Sequence, residues 1–372
     1  MSLHASVQAL PPGVATLDDH EARARSVLDD NAWAYFSGGA ADGITLRANR
    51  AAWDALSLLP RVLQPLAGGH TRVHLLGRAL PHPILVAPVA YQRLAHPDGE
   101  IATALAASAQ GAGLVLSTQS SMLLEEVARA IAGDAQRGPL WFQLYLQADR
   151  GVTRELVRRA EEAGYEALVL TVDAPVNGAR DAERRAGFRL PPGIAAVNLP
   201  PPATAPAGSL FEGLLATSPT WGDVEWLQSF TRLPVLLKGI LHPADARQAA
   251  GLGLAGVVVS NHGGRTLDTV PGTAAMLPRI ADAVGGALPL LVDGGIRRGT
   301  DVLKAIALGA SAVLVGRPAV WGLANAGAVG VAHVLRLLRD ELEIAMALCG
   351  VATLDKLPSD LLLSGELAAA RR

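Results

Sequence analysis

From about residue 80 onward, the hydrophobic positions of this chain gather into short, unbroken apolar runs. "PILVAP" begins at Pro83, "GLVLST" at Gly113, "LWFQLY" at Leu140 and "ALVLTVD" at Ala167. Four more follow: "PVLLKGI" from Pro234, "GVVVSNHGG" from Gly256, "PLLVDGG" from Pro289 and "SAVLVGRP" from Ser311. Each is too short for a helix, rich in Val, Leu or Ile, and free of polar alternation, which predicts a strand buried on both faces, as in a parallel sheet. Helical patterns lie between them, such as "DGEIATALAASAQGAG", "TRELVRRAEEAGY", "PADARQAAGLG" and "GTDVLKAIALGA". Asp98 and Thr300 stand near helix starts, and Gly111, Gly164 and Gly309 near helix ends. Eight strands with intervening helices predict an α/β fold, a (β/α)8 TIM barrel over residues 80–345. A doubly wound open sheet is the rival, because periodicity does not report closure; the number eight favours the barrel.

Two segments break this rhythm. Residues 17–56 predict N-terminal helices packed before the barrel. Residues 175–221 contain "LPPGIAAVNLPPPATAPAGS", rich in Pro and Ala and poor in charge. A loop that long after the fourth strand predicts a lid over the active face. The whole chain, 1–372, reads as a single domain.

Polar residues cluster where the apolar runs end. Gln143 and Tyr145 close the third run, Thr171 and Asp173 the fourth, Lys238 the fifth, and Ser260 and His262 the sixth. Asp293 ends the seventh and Arg317 the eighth. In a barrel the C-terminal rim of the strands carries chemistry, and the loops after strands seven and eight commonly hold a phosphate. "DGGIRRG" and "VGRP" fit that use, since glycines admit backbone N–H groups close to an anion and arginine adds a fork of donors.

Composition narrows the classes. The chain is 50% hydrophobic and 18% charged with a net charge of -2, and no basic tract suggests a nucleic-acid surface. No window approaches eighteen uninterrupted apolar residues and no N-terminal leader pattern is seen, so a cytoplasmic protein without a membrane anchor is expected. The single cysteine, Cys349, excludes an internal disulfide framework. No metal site is assigned.

"SNHGGRTLD" stands with "APVAYQRLAHPDGE", "WFQLY", "LTVD", "LLKGI", "LVDGGIRRGTDV" and "VGRP". In this order the chain resembles the FMN-dependent 2-hydroxy acid oxidase and dehydrogenase family, from Trp33 to Gly350. The resemblance implies FMN as cofactor and oxidation of an (S)-2-hydroxy acid to the 2-oxo acid. His262 is implied as the base, with flavin N5 as electron acceptor, and Asp173 as the carboxylate that orients and charges the imidazole. A neutral imidazole suits proton removal near physiological pH. Arg180 and Arg265 are implied to clamp the substrate carboxylate with Tyr35, while Tyr145 reaches the substrate hydroxyl. Lys238 is implied beside the flavin N1 and C2 carbonyl, where a cation stabilises charge that develops on reduction.

Ser117, Gln143, Thr171 and Ser260 are implied contacts of the isoalloxazine ring and its chain, with Pro88, Val89 and Ala90 against the ring. Asp293, Gly294, Gly295, Ile296 and Arg297 are implied for the ribityl and phosphate groups, and Gly316 and Arg317 for the phosphate. Gly263 and Gly264 are expected to keep the backbone clear of the flavin. Two positions depart from the family: Ala179 precedes Arg180 where "GRR" or "GNR" is commoner, and Gly264 stands where Ala is usual.

Tyr91 and Gln119 lie near the substrate side chain. Gln119 replaces the tryptophan usual in glycolate oxidases, and Tyr91 resembles the arrangement in hydroxymandelate-type oxidases, so a bulky or aromatic substrate, or lactate, is expected. Ala90 matches several oxidases, so oxygen is the expected acceptor, giving hydrogen peroxide. A quinone or other carrier is the alternative acceptor, and a non-catalytic flavin-binding barrel is the alternative of another class. By analogy with relatives, a homotetramer is expected.

Overall fold

All eight apolar runs are strands of one closed, parallel barrel. The structure is a computed structural model and describes residues 9–201, 211 and 218–363. Three short strands precede the barrel: β1 (Ser57–Leu58), β2 (Val73–Leu75) and β3 (Arg78–Leu80). The barrel is β4 (Ile84–Val86), β5 (Gly113–Ser117), β6 (Leu140–Leu144), β7 (Ala167–Thr171), β8 (Val235–Ile240), β9 (Gly256–Val259), β10 (Leu290–Val292) and β11 (Ala312–Val315). Sequential neighbours pair, and Val313, Leu314 and Val315 of β11 close the ring against Ile84, Leu85 and Val86 of β4. β12 (Leu362–Leu363) pairs antiparallel with β1.

The absence of polar alternation has a direct cause. Leu85, Val115, Trp141, Val169, Leu236, Val258, Leu291 and Leu314 fill the barrel interior. Their neighbours along the strands, including Leu114, Phe142, Leu168, Leu237 and Val257, pack outward with the helix layer. Both side-chain sets of each strand are therefore dry. The β2–β3 hairpin adds Leu75 and Leu80 to the interior cluster and plugs the N-terminal end.

Three N-terminal helices, α1 (Leu17–Val27), α2 (Asp30–Ser37) and α3 (Ile44–Asp54), precede the barrel. The outer layer is α4 (Gly99–Ala109), α5 (Leu124–Ile131) and α6 (Arg150–Glu162), then, beyond the short α7 (Asp181–Ala186), α8 (Trp221–Gln228), α9 (Pro243–Gly251), α10 (Thr273–Val284), α11 (Gly299–Ala307) and α12 (Arg317–Leu348). Helix α11 is capped by Asp301 rather than Thr300: its carboxylate accepts the Arg297 and Arg298 N–H groups at 2.9 and 3.0 Å. Helix α12 is long and apolar enough to cross a membrane, yet two-thirds of its apolar window is buried in this fold. Its helical geometry breaks at Ala326 and Gly327.

The segment after β7 is not loop throughout, since it contains α7 and ends where α8 begins. Of the expected lid, 202–210 and 212–217 lie outside the described residues.

Candidate active site

The C-terminal rim opens into a cavity of about 970 Å3. Of the residues singled out from sequence, Tyr35, Pro88, Val89, Ala90, Ser117, Gln143, Tyr145, Thr171, Arg180, Lys238, His262 and Arg265 line it. So do Asp293, Gly294, Gly295, Ile296, Arg297, Gly316 and Arg317. Asp173 and Ser260 do not line this cavity; each sits behind a residue that does.

His262 leaves β9 in a strained conformation. Its φ is +56°, and Gly263 and Gly264 follow at +64° and +74°. A histidine in the left-handed region is uncommon and is held there by its surroundings. Nδ1 of His262 lies 2.9 Å from Asp173 Oδ1. Asp173 is placed to accept from Nδ1, which directs Nε2 toward the cavity. Burial acts to raise the Asp173 carboxyl, but the His262 charge and hydrogen bond, aided by Lys238, outweigh it and hold the group below the usual carboxylate range.

Room for this pair is made on β8. Pairing of β8 with β9 shifts register between Lys238 and Ile240, and Gly239 there has φ +105°. A Cβ at Gly239 would lie 2.4 Å from the Asp173 side chain. Only glycine relieves both constraints.

The glycines after His262 also serve neighbours within the chain. A Cβ on Gly263 would meet the Arg317 guanidinium at 2.7 Å, and one on Gly264 the Leu46 backbone N at 2.7 Å. They admit Arg317 and α3 to the signature loop. Asp268, at the end of the same signature, accepts the Ile44 and Thr45 N–H groups at 3.2 and 2.7 Å and caps α3 from a distance.

Lys238 points into the cavity base. Its ammonium is 3.0 Å from Asp293 Oδ2 and donates to Ser260 Oγ at 3.0 Å. Burial lowers its proton affinity, yet Asp293 and Asp173 more than restore it, so the ammonium persists above the ordinary lysine range. Ser260 Oγ also accepts the His262 N–H at 3.1 Å, tying base and ammonium together.

Nearby, Gln143 Oε1 accepts from Ser117 Oγ and the Thr118 N–H, both at 3.2 Å, so its Nε2 turns to the cavity as a donor. Gln143 Nε2, Thr171 Oγ1 and Asp293 Oδ1 are buried without a protein partner. Unpaired buried polar atoms are costly, and a flat heterocycle with donors and acceptors on its edge would satisfy them.

At the other end neither Arg317 nor Arg297 forms a salt bridge among the described residues, although Glu21 acts on both from farther away. Arg317 donates to the carbonyls of Phe36, Gly38 and Gly263 at 3.1, 2.8 and 2.9 Å. Arg297 lies over the Trp321 ring at 4.6 Å. Burial first, and then the like charges of Arg265 and Arg297, push the Arg317 guanidinium well below its usual range. Two such cations at the Gly294–Gly295 turn and at the start of α12 fit a phosphate. The cavity thus fits FMN, whose ring edge Gln143, Thr171 and Lys238 could hold and whose phosphate Arg297 and Arg317 could hold.

Several supports were not assigned from sequence, although "RANRAAW" contains three of them. Trp53 Nε1 donates to the Gly294 carbonyl at 2.8 Å and Arg50 to that of Gly295 at 2.6 Å, while Asn49 and Asn261 exchange amide hydrogen bonds at 2.9 and 2.8 Å. The lid root is also anchored. Buried Asn198 accepts the Leu124 N–H at 3.0 Å and an Arg159 N–H at 3.1 Å, and donates to the Met122 carbonyl at 3.0 Å. Asn198→Ala would orphan those groups at a cost of about 1–3 kcal/mol. Limited proteolysis should then cut the segment after β7 faster than in the wild type; unchanged cleavage would contradict this anchoring role.

A parallel (β/α)8 barrel with a phosphate cradle, a buried lysine and a His–Asp pair on its C-terminal rim defines a flavin-dependent oxidoreductase of the α-hydroxy acid type. Residues 24–364 match the FMN-dependent dehydrogenase family, and the chain belongs to it. It is 50% identical over 360 residues to an L-lactate oxidase of Alicycliphilus denitrificans, covering 95% of this chain and 97% of the relative. It is 42% identical over 371 residues to 2-hydroxyacid oxidase 1 of Homo sapiens, covering 97% and 99%. The crystal structure of mandelate oxidase with benzoyl-formic acid superposes with a TM-score of 0.84 at 44% identity, covering 94% of this chain and 97% of the other.

Proposed function

We propose that this enzyme oxidises (S)-2-hydroxy monocarboxylic acids with an apolar side chain to 2-oxo acids, using FMN and then oxygen, with hydrogen peroxide as the second product. The observation that carries it is the Nδ1-anchored His262, which presents Nε2 to the same cavity that holds Arg180 and Arg265. FMN, when bound, would supply the acceptor for the two electrons and the second hydrogen of the alcohol, with oxygen as the final acceptor giving hydrogen peroxide. The two guanidiniums hold the substrate carboxylate, which places the α-carbon and its hydroxyl under His262. His262 Nε2 takes one proton, and Asp173 stabilises the imidazolium that results. Tyr145 is partly buried, with its phenol raised in pKa by burial and by Asp173, so it stays protonated and can donate to the substrate oxygen.

Tyr91, Gln119, Phe188, Leu190 and Leu199 form a largely apolar wall, which supports lactate or a bulkier, mandelate-like side chain over glycolate. The test is anaerobic titration of the flavin absorbance with glycolate, lactate and mandelate, followed by air. Bleaching by lactate or mandelate and fast recovery in air are expected. Bleaching by glycolate alone would overturn the side-chain assignment, and slow recovery would replace oxygen with another acceptor.

We further propose a cytoplasmic homotetramer. Exposed Val62 and Leu63, with Ile344 and Leu348 on α12, offer apolar surface for contact between copies, and the lone Cys349 is buried. Light scattering on the purified protein should give four times the chain mass.

A further inference from the structure

A carboxylate of the chain itself sits between the two arginines. Glu183, on α7, lines the cavity, and its Oε1 lies 3.2 Å from Arg180 Nη1 and 3.2 Å from Arg265 Nη2. The three side chains are only 14–18% exposed. Arg265 is further fixed by the carbonyls of Tyr35 and Gly38, and the buried Arg180 Nε has no protein partner. The root of this segment cannot drift, because Ala41 N–H donates to the Ala179 carbonyl and a Cβ on Gly178 would collide with the Thr266 carbonyl at 2.1 Å.

We infer that Glu183 is a positioning and specificity-determining residue that limits the clamp to substrates with one carboxylate. This rests on the reading of Arg180 and Arg265 as the carboxylate clamp. Two guanidiniums alone present two positive charges, which a 2-hydroxy diacid would neutralise as well as a monoacid does. With Glu183 between them the net charge is one. A monocarboxylate balances it, whereas a second carboxylate arrives uncompensated in a site shielded from water, where like charges repel strongly. Among the other charged groups nearby, Asp173 with His262 and Lys238 with Asp293 are paired, while Arg317, which also feels Arg265, is the group assigned to the cofactor phosphate and is the same in every variant compared.

The test compares kcat/KM for malate and lactate, which differ by one carboxylate, in the FMN-loaded wild type and in Glu183→Gln, Glu183→Ala and Glu183→Asp. The malate-to-lactate ratio should rise roughly 10- to 100-fold in Glu183→Gln, about what one unit charge at ~6 Å is worth in a partly screened site. Glu183→Ala, a different shape with the same loss of charge, should move the ratio the same way and guards against misfolding of the first variant. Glu183→Asp, which keeps the charge, should retain a ratio close to the wild type. If both substrates lose activity equally in Gln and Ala, Glu183 only braces α7 and the inference fails. If the wild type oxidises neither lactate nor any other 2-hydroxy acid, the underlying clamp reading fails instead.

Discussion

Glutamine at position 262 should leave a yellow, FMN-loaded protein whose kcat is lower by about 100- to 10,000-fold, the usual worth of a positioned general base. The amide can still donate to Asp173, which preserves the geometry, but it has no lone pair of comparable basicity to receive the substrate proton. Flavin content should not change, because the groups proposed to hold FMN, Arg297 before α11, Arg317 at the start of α12, Gln143 and Lys238, keep their side chains in this variant. Turnover near the wild-type rate would overturn the role of His262.

The same variant makes a pH prediction. In the wild type, a carboxyl held below its ordinary value contributes stability that is full above that ordinary value and is lost as pH falls through the folded one. His262→Gln removes the charge that opposes burial, so the Asp173 carboxyl moves up and acid unfolding should begin at a higher pH. Coincident acid-unfolding curves for the two proteins would show that the pair adds nothing to stability.

Methionine in place of Arg317 should weaken FMN binding by about 3–5 kcal/mol, roughly 100- to 4,000-fold, the cost of removing one partner from a shielded charge pair. Riboflavin, which lacks the phosphate, should bind wild type and variant alike. The cofactor-free protein should respond in the opposite sense. A guanidinium whose proton affinity is lowered on folding costs stability at every pH below its folded value, so its neutral replacement relieves that cost. Flavin fluorescence titration separates the ligands, and thermal melts of cofactor-free protein test the second point. Equal weakening for FMN and riboflavin would mean that Arg317 shapes the pocket rather than binding phosphate.

The barrel was legible because its strands are buried on both faces, and burial on both faces writes itself into sequence as unbroken apolar runs such as Leu168 to Leu170. The rim was legible for a related reason: each run stops at a polar residue, and a closed parallel barrel places all those stops on one side. Lys238, His262, Asp293 and Arg317 therefore face one cavity without any long-range information being needed. Residues that act behind others left no such mark. Trp53, Arg50 and Asn49 sit in an ordinary amphipathic helix, and only its docking shows that they hold the Gly294–Gly295 turn. Glycine at 239 reads as a strand interruption until the Asp173 side chain is seen to fill the space above it.

Local patterning thus determined the strands, their order of chemistry along the chain and the identity of the groups on the rim. Periodicity and strand-end polarity are properties of neighbours in sequence. Tertiary structure decided what those groups do to one another: the hydrogen bond of His262 to Asp173, the absence of a salt bridge at Arg297 and Arg317 among the described residues, and the placing of Glu183 between Arg180 and Arg265. The first and last are interactions between atoms brought within about 3–4 Å of one another from distant or turn-separated positions, where Coulomb and hydrogen-bond energies become large.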